Sequence, residues 1–183
     1  MIPRQTPLVF NQLYTSALHS YHYYLLPYKP HAEWMVKTKY QLDLSRISQI
    51  VAGLTDTLPE QLHHDLPMET DWHLTYVPVY WRTKITRRFD MNQIIAKKLS
   101  RQTDFKYIKT IKNTSAVTQG QCGSRNDRIK NAATKFALRR RTTSPRNIII
   151  IDDVVATGST MKACQKLLNS AGAQNVVWVS IAH

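Results

Sequence analysis

The stretch NIIIIDDVVATGST, residues 147–160, constrains the fold more than any other part of the chain. It opens with four consecutive isoleucines, a β-branched apolar run that is typical of a central parallel strand covered on both faces. Two adjacent acids, Asp152 and Asp153, end this run, and small hydroxyl residues around Gly158 follow. Residues 159–171 have apolar positions at helical spacing. A buried strand, a glycine turn and a helix in this order predict one unit of an α/β fold.

The same alternation of strands and helices continues through the rest of the C-terminal part. The predicted strands are 73–80, 105–111, 147–155 and 175–183, and the predicted helices are 91–102, 124–136 and 159–171. Because parallel strands need crossover helices between them, the pattern predicts a doubly wound parallel sheet. At 183 residues the chain is expected to form one structural domain, with its core over 73–183.

Residues 1–72 have a different pattern and are predicted to form an N-terminal helical cap, or flanking segment, packed on the core. Residues 45–58 carry apolar side chains at helical spacing and predict an amphipathic helix. Residues 21–35 are aromatic and interrupted by proline, and residues 59–72 are typical of a connecting loop.

Composition excludes several classes of protein. No apolar run approaches the roughly 18 residues of a membrane span, and the N-terminus lacks a basic start followed by an apolar segment. We therefore expect a cytoplasmic protein without membrane insertion. The two cysteines, Cys122 and Cys164, are too few for a four-cysteine zinc site, and they predict no disulfide framework.

The acids and the loop after them indicate the chemistry of a ligand. Ligands of open parallel sheets bind beyond the carboxyl ends of the strands, where the two acids are expected. Amide groups of the following loop and helix start form an anion site, to which Thr157, Ser159 and Thr160 add hydroxyl donors. Carboxylates repel phosphate but accept hydrogen bonds from sugar hydroxyls. Together these parts predict a phosphorylated sugar, with a simple helix N-cap at Ser159 or Thr160 as the alternative.

IIIIDDVVATGST, residues 148–160, closely resembles the phosphoribosyl-pyrophosphate (PRPP) signature of type I phosphoribosyltransferases. The resemblance implies a type I phosphoribosyltransferase-like fold. It also implies that Asp152 and Asp153, as the catalytic acids, hold the ribose hydroxyls while the loop binds the 5-phosphate. The PRPP-binding residues implied in this way are Asp152, Asp153, Val155, Ala156, Thr157, Gly158, Ser159 and Thr160.

Further segments resemble the ComF family, a competence-associated group of phosphoribosyltransferase-like proteins. They are VPVYWRTKITRRFDMNQ (77–93), SRNDRIKNAATKF (124–136) and WMVKTKYQLDLSRI (34–47). The chain departs from the family pattern at Tyr80, which stands where a second proline is usual, and it lacks the N-terminal zinc module of many relatives.

If the chain is an enzyme, the resemblance implies pentosyl transfer from PRPP, with Mg²⁺ held by the ligand and no protein side chain as metal ligand. The leaving pyrophosphate needs cations, and the candidates are Arg82, Lys84, Lys112 and Arg125. Residues 112–123 are polar and contain glycine, which is typical of a mobile lid over such a site.

The basic charge of the chain lies mostly in its middle third. Residues 82–146 hold 18 Lys and Arg against 3 Asp and Glu, whereas residues 1–81 hold 5 against 7. So many like charges favour a polyanionic partner over a merely solvated surface. The nucleic-acid candidates are Arg87, Arg88, Lys97, Lys98, Arg128, Arg139, Arg140 and Arg141.

Three functions stay open at this point. The first is a ComF-like protein that binds PRPP and acts in DNA uptake, with single-stranded DNA on the basic surface and competence proteins, such as a helicase, as partners. The second is a conventional enzyme that makes a nucleotide and pyrophosphate from a nucleobase and PRPP. The third is a non-catalytic regulator that senses PRPP. The uneven charge favours the first.

Overall fold

The structure, a computed structural model, describes residues 9–12, 21–80, 85, 88–114, 135–139 and 143–183. These residues form eight strands and four helices. In chain order they are β1 (Val9–Gln12), β2 (Tyr21–Leu26), α1 (Tyr28–Tyr40), α2 (Leu44–Asp65), β3 (His73–Tyr76), α3 (Met91–Leu99), β4 (Lys106–Tyr107), β5 (Ile111–Asn113), β6 (Phe136–Leu138), β7 (Asn147–Val154), α4 (Ser159–Ser170) and β8 (Asn175–Ala182).

Six of the strands form one sheet in the order β1-β2-β8-β7-β3-β4. All neighbours in this sheet run parallel except β1, which pairs antiparallel with β2. The isoleucine strand β7 lies between β8 and β3, with Ile150 opposite Trp178 on one side and Thr75 on the other. β5 and β6 form a separate antiparallel pair. The isoleucine run is therefore an inner parallel strand, as predicted.

Helices cover both faces of the sheet. Ile149 and Ile151 pack with the apolar faces of α2 and α3, whereas Ile148 and Ile150 pack with α4 and the β5–β6 pair. All four isoleucines are fully buried, which explains why the run has no polar alternation. This arrangement confirms the predicted doubly wound parallel sheet.

The N-terminal segment contributes a strand to the sheet as well as helices beside it. β2 pairs in parallel with β8, with Tyr24 opposite Ser180. α2 extends to Asp65, so the loop predicted from residue 59 begins seven residues later. Pro59 lies inside this helix, and Leu62 continues its buried face. The apolar spacing beyond the proline outweighs the hydrogen bond that proline removes.

Other predicted elements differ from the structure at their ends. The strand predicted at 73–80 ends at Tyr76, and the strand predicted at 105–111 is divided between β4 and β5. Most of the helix predicted at 124–136 falls outside the described residues, and its last residue, Phe136, begins β6. The predicted helices 91–102 and 159–171 and the strands 147–155 and 175–183 are present as α3, α4, β7 and β8.

Candidate functional site

The acid pair lies at the carboxyl end of β7. Asp152 and Asp153 are 8% and 9% exposed, because the buried isoleucines before them hold the strand between two neighbours. Two carboxyl groups at adjacent positions of a buried strand are costly unless hydrogen bonds or cations compensate them. Different partners offset this cost for Asp152 and for Asp153.

Asp152 is held by hydrogen bonds to one carboxylate oxygen. Its Oδ1 accepts from Asn92 Nδ2 at 3.0 Å and from the backbone N–H of Asp153 at 2.9 Å. Burial, and then the negative charge of Asp153, raise the pKa of the Asp152 carboxyl well above its ordinary value. Burial and the neighbouring charge therefore disfavour ionisation of this carboxyl, and the donors on Oδ1 and the Lys39 ammonium oppose that effect.

Asp153 is compensated by a cation from the N-terminal segment. Lys39, in the last turn of α1, forms an ion pair with Asp153 Oδ2. Asp153 Oδ1 accepts from the backbone N–H of Val154 at 2.8 Å. The Lys39 side chain is 34% exposed and that of Asp153 is 13% exposed, so the pair lies at the edge of the buried region.

Asn92 joins the start of α3 to the acid pair. Its Nδ2 donates both to Asp152 and to the backbone carbonyl of Val77, at 3.1 Å, just beyond β3. The helix N-cap Asp90 fixes this position by accepting from Gln93 N at 3.3 Å. Within the described part of the chain, the buried Asn92 Oδ1 has no hydrogen-bond partner.

The predicted phosphate loop follows the acids directly. Gly158 has φ of 67°, a left-handed conformation that glycine adopts without steric cost, and it is the N-cap of α4. Thr157 Oγ1 and Ser159 Oγ lie 3.1 Å apart. Ala156 and Thr157 are exposed, and α4 presents its first backbone N–H groups here. Hydroxyl and amide donors thus converge beside the carboxylates.

A shallow, open depression lies beside Asp153. It is lined by Lys39, Val79, Phe89, Asp90, Met91, Asn92 and Asp153. The depression therefore joins α1, the segment after β3 and the start of α3 to the acid pair. A ligand that reached the acids would lie against all three segments.

The predicted cations are only partly described. Lys112 is exposed in β5, and its neighbour Asn113 donates to the backbone carbonyl of Pro78 at 3.1 Å, so this strand lies beside the segment that follows β3. Outside the described residues are Arg82, Lys84, Arg87, Arg125, Arg128, Arg140 and Arg141, together with residues 115–123 of the predicted lid.

The described nucleic-acid candidates are spread along the protein. Lys97 and Lys98 lie at the end of α3, where Lys97 Nζ is 5.7 Å from the Tyr107 ring centre and Lys98 Nζ donates to Ser48 Oγ at 3.2 Å. Arg88 is exposed before the start of α3, at the opposite end of the helix from the two lysines. Arg139 is exposed after β6. Only the two lysines are therefore direct neighbours.

Lys39 and Asn92 belong to the site, although no role in it was predicted for them. Both lie in segments that resemble the ComF family, which is the signal that could have drawn attention to them. Across the described ranges, no three His, Cys, Asp or Glu side chains are grouped to hold a metal ion. None of the described helices has both the length and the apolar character that a membrane crossing requires.

Comparisons with known proteins agree with the resemblance to competence proteins. No protein-family model matches the chain. Competence protein F of Haemophilus influenzae is 28% identical over 107 residues, which cover 56% of this chain and 46% of that protein. DNA utilization protein YhgH of Escherichia coli O157:H7 is 29% identical over 144 residues, 76% of this chain and 63% of that protein. The chain thus spans between about half and two thirds of the length of these relatives.

Solved structures that align with the chain include phosphoribosyltransferases. Adenine phosphoribosyltransferase from Saccharomyces cerevisiae is 15% identical, with a TM-score of 0.48, over 96% of this chain and 82% of that one. A hypoxanthine-guanine phosphoribosyltransferase from Bacillus anthracis is 13% identical, with a TM-score of 0.46, over 73% of this chain and 68% of that one.

Proposed function

We propose that the chain is a ComF-like, phosphoribosyltransferase-fold protein that binds PRPP and acts in the handling of DNA. The observation that carries the proposal is the adjacency of two nearly buried carboxyl groups and a loop rich in amide and hydroxyl donors. The loop, residues 155–160, binds the 5-phosphate, and the acids accept hydrogen bonds from the ribose hydroxyls. The similarity to Competence protein F and to DNA utilization protein YhgH supports the link to DNA.

Asp152 and Asp153 contact the hydroxyl groups of the sugar, and not its phosphate or diphosphate groups. In the free protein Asp152 accepts from two N–H donors, and Asp153 is paired with the Lys39 ammonium. Sugar hydroxyls can donate to the same carboxylate oxygens, because a carboxylate accepts several hydrogen bonds. The negative charge of the pair also favours positive charge that develops on the ribose ring when the diphosphate leaves.

We infer that Mg²⁺ enters with PRPP and is held mainly by the oxygens of that ligand. The donor set fits this arrangement, because no three His, Cys, Asp or Glu side chains of the described residues are grouped to hold a metal ion by themselves. When bound, the metal ion reduces the negative charge of the diphosphate. The residues of the chain position the sugar and its 5-phosphate, and Lys112 and Arg82 are proposed cations for the diphosphate.

PRPP binding is tested by calorimetry with MgCl₂ present. We expect binding by the wild type and its loss in the double variant Asp152→Asn, Asp153→Asn. The matched control is Asp56→Asn, which makes the same chemical change at an exposed position of α2. Equal PRPP affinity in the double variant and the wild type would refute the site. Pyrophosphate release with a panel of nucleobases then decides whether the chain is an enzyme or a PRPP-sensing regulator.

Binding of single-stranded DNA is the second part of the proposal, and it depends on the excess of basic residues in 82–146. The logarithm of the affinity for a labelled oligonucleotide should fall linearly with the logarithm of the salt concentration. Replacing Lys97 and Lys98 by glutamine should reduce the slope by about 0.7 for each phosphate that the variant no longer neutralises. The same replacement of Lys29 and Lys37, which are exposed on α1, is the control. An affinity that does not depend on salt would refute this part.

A further inference from the structure

Lys39 is the cation that forms an ion pair with the acid pair in the described part of the chain. The ion pair with Asp153 joins positions 114 residues apart in the sequence and ties α1 to the end of β7. Lys39 also lines the depression beside Asp153, together with Asn92. Its ammonium therefore lies where a ligand on the acids would have to fit.

An ammonium paired with Asp153 competes with a sugar hydroxyl for the same carboxylate. A ribose hydroxyl that donates to Asp153 Oδ2 has to share this oxygen with the ammonium, which weakens the ion pair. In PRPP the diphosphate is bonded to the carbon next to the one that carries the 2-hydroxyl, so an anion arrives beside this ammonium.

The helix that carries Lys39 has buried residues and one contact from the start of α2. Met35 and Thr38 are buried, and Thr38 Oγ1 donates to the backbone carbonyl of Trp34 at 2.8 Å. Arg46 donates to the same carbonyl at 3.3 Å and lies 5.7 Å from the centre of the Trp34 ring. α1 is therefore anchored to the protein through Met35, Thr38 and Trp34, and rotation of the long lysine side chain can bring the ammonium to a new partner.

We propose that Lys39 exchanges partners when the ligand binds, from Asp153 to the diphosphate, and so selects PRPP over ribose phosphates that lack a diphosphate. The inference rests on the proposed function, because it requires the sugar to bind on the acids. It adds the residue by which the site distinguishes a diphosphate ligand from a simple sugar phosphate. Lys39 acts here as a ligand-contacting residue and not only as the counter-charge of Asp153.

The test compares two ligands, PRPP and ribose 5-phosphate, by calorimetry in the presence of MgCl₂. For Lys39→Met we expect a loss of PRPP affinity of about 10- to 100-fold, the range of a hydrogen bond to a charged group. Ribose 5-phosphate should bind equally well or more tightly, because the competing ammonium is gone. Lys39→Arg keeps the charge and should recover part of the PRPP affinity. Lys37→Met, an exposed position two residues earlier on the same helix, should change neither affinity.

Each other outcome has a distinct meaning. A parallel loss of affinity for both ligands would assign Lys39 a structural role and overturn the proposal, and unchanged PRPP affinity would overturn it as well. If the wild type binds neither ligand, the proposed function fails and this inference fails with it. Thermal unfolding identifies a variant that does not fold. In that case Lys39→Arg supplies the comparison, with the inference refuted if its PRPP affinity and ribose 5-phosphate affinity change by the same factor.

Discussion

Replacing Asp152 by asparagine should stabilise the protein while it removes the ability to bind the sugar. Asp152 Oδ1 accepts the two hydrogen bonds described above, and an asparagine Oδ1 can accept both. The substitution keeps the size of the side chain and removes a buried negative charge beside Asp153. The raised pKa of the Asp152 carboxyl indicates that the folded protein disfavours this charge.

The gain in stability depends on the repulsion between Asp152 and Asp153 and on the attraction of Lys39, which partly cancel. At an effective dielectric constant near 20, two unit charges about 5 Å apart interact by roughly 3 kcal/mol. Asp153 repels Asp152 on this scale, and Lys39 offsets part of the repulsion. We therefore expect a gain of about 1–2 kcal/mol at pH 7. For a protein of this size the gain raises Tm by about 2–8 °C.

Chemical denaturation across a range of pH tests this reasoning. Because the pKa of Asp152 is higher in the folded protein than in the unfolded chain, the folded state holds a proton that the unfolded chain releases. The contribution of wild-type Asp152 to the free energy of unfolding is thus most favourable at acidic pH, and it declines as pH rises above about 4. The difference in free energy of unfolding between Asp152→Asn and wild type should grow over the same pH interval. The free energy of unfolding of Asp56→Asn should stay within about 0.5 kcal/mol of the wild-type value. A variant less stable than wild type at pH 7 would refute the account.

Three further perturbations have defined outcomes. Burial, and then His183, lower the pKa of His22 to about 4. The contribution of His22 to the free energy of unfolding should therefore fall by about 3 kcal/mol between pH 6.5 and pH 4, and His22→Gln should remove this contribution from denaturation curves. Gly158→Ala forces a non-glycine residue to φ of 67° and should cost about 1 kcal/mol while it weakens the binding of ribose 5-phosphate. Asn92→Ala removes the donor shared by Asp152 and Val77 and should cost about 1–3 kcal/mol in urea denaturation, whereas an unchanged midpoint would refute a stabilising role for Asn92.

The part of the site that could be predicted is local in sequence. The isoleucine run, the two acids, Gly158 and the amphipathic helix follow one another within 25 residues, so each neighbour in space is also a neighbour in sequence. Apolar runs and glycine turns constrain the backbone directly. β7, the turn and α4 therefore have nearly the predicted bounds.

The contributions of Lys39, Asn92 and β2 could not be predicted in the same way. Asn92 reaches Asp152 across 60 residues, and a lysine at the end of a helix has the pattern of any solvated surface residue. β2 is buried on both faces, and its residues His22, Tyr23 and Tyr24 do not alternate between apolar and polar. Without that alternation an aromatic segment ahead of a proline gives no clear strand signal.

The pairing of β2 with β8 has a consequence for how the protein folds. The hydrogen bond between His22 and Ser180 joins residues 158 positions apart, so β2 leaves the ribosome long before its partner exists. At bacterial or eukaryotic rates of synthesis this interval is about 8–30 s. During that time an aromatic strand has an unpaired edge, and long-range parallel pairing is slow even once both strands are present. Pairing of β2 with β8 is therefore expected to be a late stage of folding. At that stage the chain is most prone to aggregate, and assistance from a chaperone would matter most.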